Sequence, residues 1–89
     1  VYVRTFVYSP KDQPVTGIVL ADDPVRIWVG EASAFDRPGA PVSATEETFP
    51  VVLKTGWNAV LVKVGNGGRG HRFGLRFTGD GVRTAGLPQ

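Results

Sequence analysis

Apolar residues recur at every second position in several short runs of this chain, and no stretch of useful length carries the 3.6-residue period of a helix. The clearest case is the segment 49–77. Phe49, Val51 and Leu53 share one face of a first run, and Val60, Val62 and Val64 share one face of a second. His71, Phe73, Leu75 and Phe77 share one face of a third, with Arg72, Gly74 and Arg76 opposite. Side chains alternate across a strand, so each run has one face suited to a core. Thr55-Gly56-Trp57-Asn58 separates the first two runs, and Gly56 and Asn58 are residue types that tolerate positive φ. A glycine-rich loop, Gly65-Asn66-Gly67-Gly68-Arg69-Gly70, separates the second and third. The pattern predicts a three-stranded antiparallel meander, with Val60, Val62, Phe73 and Leu75 buried.

The earlier part of the chain repeats the pattern. Residues 1–8 place Val1, Val3, Thr5 and Val7 on one face and Tyr2, Arg4, Phe6 and Tyr8 on the other. Neither face is plainly polar, so this strand is either covered on both sides or presents an exposed aromatic surface. Residues 15–21 form a second strand, in which Gly17 marks a bulge or a close neighbour. Asp22-Asp23-Pro24 breaks the run, and residues 25–30 alternate again, with Val25, Ile27 and Val29 inward and Arg26 and Trp28 opposite. A hairpin across Asp-Asp-Pro is expected. Residues 31–48 hold small residues and two prolines with no sustained period, and are read as a long loop with at most one helical turn near 32–35. Residues 78–89 are read as a turn and a loose tail. Six short strands joined by turns predict an all-β, antiparallel β-sandwich with Greek-key or jelly-roll connections.

Composition narrows the function classes. Eighty-nine residues allow one domain, here placed at 1–79 with a tail over 80–89. With no cysteine, neither a disulfide nor a Cys-based metal site is available. The net charge of +2 is mild and does not call for nucleic acid. No apolar run approaches the ~20 residues of a membrane helix. The chain opens at Val1 directly in an apolar strand, and the expectation is a piece of a longer polypeptide in which residues 1–8 meet an upstream segment or a partner.

Three pieces carry a family resemblance: YVRTFVYSPKDQPVTGIVLADDPVRIWVG, LKTGWNAVLVKV and GGRGHRFGLRF. In order and spacing they resemble the galactose-binding-like β-sandwiches of extracytoplasmic bacterial proteins and glycosidase accessory modules. A more distant similarity is to the anthrax-protective-antigen-like lectin domains. Asp22-Asp23, Trp28 and Leu53-Lys54-Thr55-Gly56-Trp57-Asn58 match the family pattern, while Pro24 stands for its glycine and Gly30-Glu31 for its Asn-Gly turn. Members also have a strand or more before the point where this sequence starts. The resemblance implies a jelly-roll-type sandwich, a non-catalytic carbohydrate-binding role and an extracytoplasmic location.

Asp22 and Asp23 are the leading polar candidates. Paired Asp side chains ligate calcium in the lectin-like relatives, and hard cations take loop oxygens; the alternative is that both stabilise a turn. Trp28 beside Arg26 is read either as a second packing layer or as an exposed sugar platform. Exposure in a groove with Asp22 or Asp23 favours the glycan reading, and burial favours a structural one. Tyr2 and Tyr8 share the ambiguity, with core packing favoured, and Trp57 is expected to pack over the end of the meander. Arg69, His71, Arg72, Arg76 and Arg83 suggest a mildly basic end. The glycine loop matches GxGxxG, but a strand follows it where a dinucleotide site needs a helix. His71 has no nucleophile elbow near any serine, and no converging carboxylate pair is evident, so no enzyme is expected. The competing function class is a structural or interaction domain of a larger assembly, without a small ligand.

Overall fold

The valine-rich runs of alternating polarity all become strands. The structure, a computed structural model, describes residues 2–21, 24–38, 45–65 and 73–85. Eight strands lie within them: β1 (Tyr2–Ser9), β2 (Gln13–Ala21), β3 (Val25–Val29), β4 (Ala32–Arg37), β5 (Thr45–Leu53), β6 (Gly56–Val64), β7 (Phe73–Phe77) and β8 (Arg83–Thr84). They form an antiparallel five-stranded sheet of order β4-β3-β6-β1-β8 and an antiparallel three-stranded sheet of order β5-β2-β7. The architecture is all-β and sandwich-like. Its core draws on both sheets: Val7, Ile27, Val60 and Val62 from the larger, Val19, Ala21, Phe49 and Leu53 from the smaller.

The meander expected over 49–77 does not form. β5 and β7 both flank β2, while β6 lies in the other sheet between β3 and β1. The hairpin expected across Asp-Asp-Pro is replaced in the same way, because β2 and β3 belong to different sheets. The physical reason is common to both. Each run offers one apolar face, and closing that face against an opposing sheet buries as much as lying beside a neighbour in one sheet. The glycine loop likewise joins two sheets rather than two paired strands; its residues 66–70 lie outside the described set.

One true hairpin sits where a loop is expected. β3 and β4 pair across Gly30-Glu31, with Gly30 at φ 61°, the positive value a two-residue turn requires. The register shifts between Ile27 and Trp28, so β4 does not mirror β3 residue for residue. Arg37 at the end of β4 donates to the Ala21 carbonyl at 2.9 Å and pairs with Glu47, tying β4 to both β2 and β5. β5 begins at Thr45, earlier than the expected Phe49, and as an edge strand tolerates Pro50.

The expected core residues Ile27, Val29, Val60 and Val62 are buried, but Phe73 and Leu75 are only half-buried. Among the described residues β7 is an edge strand paired with β2 alone, so its inward side chains pack on the core from one side and stay open on the other. The stretch read as a tail contributes β8, which pairs with Val7 and Tyr8, and Ala85 N–H then donates to the Phe6 carbonyl at 2.8 Å. Among the described residues, β1 pairs with β6 along its whole length and with β8 only at Val7 and Tyr8.

Polar ties close one end of the sandwich. The fully buried Ser9 hydroxyl donates to the Lys11 carbonyl at 2.6 Å and accepts from Gln13 at 2.8 Å. Gln13 in turn exchanges bonds with the Asp80 backbone, at 2.9 and 3.1 Å. The Asp12 carboxylate accepts from the Thr55 N–H at 2.7 Å and the Thr55 hydroxyl at 2.9 Å. Those two bonds, the backbone one foremost, with a smaller contribution from the Lys54 charge, hold Asp12 below the usual carboxylate range. A carboxyl with a lowered folded pKa stabilises the fold above its unfolded pKa of about 3.9, and the contribution is lost as pH falls through the folded value. Asp12→Asn is therefore expected to lower Tm at neutral pH and to match the parent in strong acid. A Tm difference that persists unchanged at low pH would show that the charge is not what matters.

Candidate ring-and-cation face on the five-stranded sheet

Strand period and register together build a surface on the outer face of the larger sheet. Val3, Thr5, Val7 and Ser9 turn inward along β1, so Tyr2, Arg4, Phe6 and Tyr8 turn outward. The same alternation in β6 points Trp57, Ala59, Leu61 and Lys63 outward, and in β3 it does so for Arg26 and Trp28. Register then sets these side chains in rows. Tyr2 lies opposite Lys63, Lys63 opposite Arg26, and Arg26 opposite Asp36. Arg4 lies opposite Leu61, and Leu61 opposite Trp28. Tyr8 lies between Trp57 and Arg83.

Rings and cations are interleaved across the face. The Arg26 guanidinium carbon lies 4.8 Å from the centroid of Trp28, and that of Arg83 lies 5.0 Å from the centroid of Tyr8. Lys63 Nζ lies 5.9 Å from the centroid of Tyr2. These are cation–π distances. Tyr8 and Trp57 meet edge to face with centroids 5.4 Å apart. Tyr2 is 61% exposed, Trp57 57% and Phe6 42%, so three large rings of this one face stand in solvent.

Trp28 is half-buried with Arg26 over its ring, an exposure between the second packing layer and the open platform that the sequence left as alternatives. Trp57, expected to pack over a meander end, is exposed, because strand β6 begins at Gly56 and its period turns Trp57 away from Val60 and Val62. Tyr2 and Tyr8 do not enter the core: Tyr2 is exposed, and Tyr8 is half-buried between its strand neighbours. Asp22 and Asp23, with the calcium site the resemblance implied, lie outside the described residues, as do Arg69, His71 and Arg72. Among the described residues no three His, Asp or Glu side chains gather as a metal site. Of the expected basic end only Arg76 and Arg83 are described; they lie on different sheets, and Arg76 pairs with Glu46 at 3.3 Å. Leu61 and Lys63 join the face although the sequence did not single them out as site residues, and outward alternation on adjacent strands was the available signal; Phe6 lies on the aromatic surface that the sequence offered for residues 1–8.

A cleft of about 230 Å³ opens at one end of the face, lined by Pro24, Val25, Arg26, Asp36, Arg37, Pro38, Lys63 and Gly65. Gly65 N–H donates to the Pro24 carbonyl at 2.6 Å, tying together two residues of the cleft's lining. No described helix is long and apolar enough to cross a membrane. The chain matches no family model, no curated protein and no solved structure in the comparisons made.

Proposed function

We propose that the domain is a non-catalytic, carbohydrate-binding accessory module of an extracytoplasmic protein, of the galactose-binding-like, jelly-roll type. The observation that carries the reading is the exposure of Tyr2, Phe6 and Trp57 on one sheet face. Exposed rings on a rigid sheet present apolar planes of the kind that stack on the C–H face of a pyranose, at little entropic cost because the strands already fix them. Neighbouring guanidinium and ammonium groups supply donors for sugar hydroxyls. Trp57 is the principal ring here, with Phe6 and Tyr2 continuing the surface along β1. Trp28 supports the face from beneath Arg26.

A glycan panel spanning soluble and insoluble polysaccharides tests the reading. Trp57→Ala is expected to weaken binding about tenfold or more, equivalent to at least 1.4 kcal/mol, with Tm unchanged because the ring is exposed. No binding to any glycan at high protein concentration would overturn it.

The second reading is a polypeptide-interaction domain, favoured by the edge of β1 over residues 2–5, which no described strand pairs on the β8 side. Its sign would be concentration-dependent self-association, or binding of an extended peptide, in a protein silent towards every glycan.

A further inference from the structure

The charges of this molecule are not evenly matched over its surface. Off the ring face, three of the four described cations are ion-paired, and the fourth, Lys54, lies near enough to Asp12 for its charge to be felt there. Lys11 pairs with Asp80 at 3.5 Å, Arg76 with Glu46 at 3.3 Å, Arg37 pairs with Glu47, and Lys54 acts on Asp12. On the ring face the balance breaks. Arg4, Arg26, Lys63 and Arg83 all project from it, and Asp36 is the one described carboxylate opposite them. Asp36 reaches only Arg26, at 3.9 Å. Arg4, Lys63 and Arg83 have no carboxylate partner among the described residues. Counted over the described residues, the face holds a larger positive surplus than the whole chain's net charge of +2.

The surplus is also placed. Lys63 lines the cleft at the end of the face together with Arg26 and its partner Asp36, and the Pro24 and Val25 wall is apolar. Adjacent strands are about 4.8 Å apart, so Tyr2, Lys63 and Arg26 occupy one row about 10 Å long, with Arg4 one step along β1. A ring, two cations and a cleft therefore lie within the span of a few sugar units. A neutral glycan leaves Arg4, Lys63 and Arg83 without a described counter-charge, whereas a carboxylate or sulfate on the sugar supplies one. Complementary charge also rejects neutral competitors and speeds encounter.

The geometry points to an anionic polysaccharide, bearing uronate carboxylates or sulfates, as the ligand of the ring face, with an acidic substituent held at the cleft by Lys63 and Arg26 and a second met by Arg4. This rests on the carbohydrate-binding reading above and names the class of glycan within it.

Two matched polymer pairs separate the two claims: polygalacturonate against its methyl ester, and dextran sulfate against dextran. Polyacrylate and a single-stranded oligothymidylate supply charge without the pyranose. Binding confined to a charged glycan is expected, weakened roughly tenfold or more when salt rises from about 50 to about 500 mM. Lys63→Gln with Arg4→Gln is expected to cost a further tenfold or so at low salt, and Trp57→Ala a similar factor. Both sets of side chains are exposed, and an unchanged melting curve for each variant is part of the expected result. The salt dependence of the unaltered protein reads the same claim without any substitution. Equal binding of the neutral and charged members would overturn the anionic assignment and leave the glycan reading standing. So would a hit on a neutral glycan with silence on both charged ones. Equal binding of polyacrylate or oligothymidylate, indifferent to Trp57→Ala, would overturn both claims, as would silence towards every polymer.

Discussion

Phe49→Ala is expected to destabilise the domain by about 3–5 kcal/mol, the range for removing a large buried aromatic side chain. Phe49 projects from β5 and is 3% exposed. Its ring meets Phe35 of β4 at 5.3 Å between centroids and Phe77 of β7 at 6.1 Å. Phe35 belongs to the five-stranded sheet and Phe77 to the three-stranded one, so this ring joins the two layers and also spans the smaller sheet. Removing it leaves a cavity that Phe35 and Phe77 cannot both close, since each is fixed to its own strand. In a domain of this size, a loss of that order is a large share of the total stability, which for folded domains is only about 5–15 kcal/mol. Urea unfolding should show a lower midpoint at constant slope. A change below about 1 kcal/mol would mean that the remaining valine core holds the sheets together unaided.

The existence of the strands was largely legible, because two-residue alternation is a local property of each run. β1, β2, β3, β6 and β7 fall where the pattern of apolar residues puts them. Their partners were not legible. A run such as Phe49, Val51 and Leu53 shows that it has a buried face and says nothing of whether the next run lies beside that face or across from it. Lys54-Thr55 is short enough for a hairpin, yet it arches from one sheet to the other. β4 escaped for a different reason. Ala32, Ser33 and Ala34 carry too little apolar contrast to register a period, and the bulge opposite Ile27 and Trp28 breaks what contrast remains. The same logic divides the candidate site. Trp57 is odd-numbered in a strand whose core residues are Val60 and Val62, so its outward direction followed from the sequence once β6 was extended back to Gly56. The row that sets Tyr2, Lys63 and Arg26 side by side needed the pairing of three strands, and no single run contains that information.

Gly17→Ala is expected to destabilise the parent domain and to stabilise the Phe49→Ala variant. Gly17 sits in β2, directly between Phe49 of β5 and Phe77 of β7 in the register of the smaller sheet. Those two residues are two strand spacings apart, about 9.6 Å between backbones, yet their ring centroids approach to 6.1 Å. They converge because the position between them has no side chain. A Cβ at Gly17 would lie 2.2 Å from Cζ of Phe49, and 2.5 and 2.6 Å from two further atoms of the ring. The obstacle is a buried ring wedged against Phe35, so relief requires the aromatic cluster to shift, at about 1–3 kcal/mol for overpacking of this kind. No positive φ accompanies the glycine, so an alanine backbone fits the strand without strain. Once Phe49 is truncated the obstacle is gone, and what remains is the entropy that alanine removes from the unfolded chain, worth about 0.4–1 kcal/mol in favour of folding. The two substitutions should therefore be strongly non-additive, with Gly17→Ala reversing sign between backgrounds. A double-mutant cycle from urea midpoints measures this directly. If Gly17→Ala carries the same cost with and without the Phe49 ring, the glycine is required for something other than the ring that lies over it.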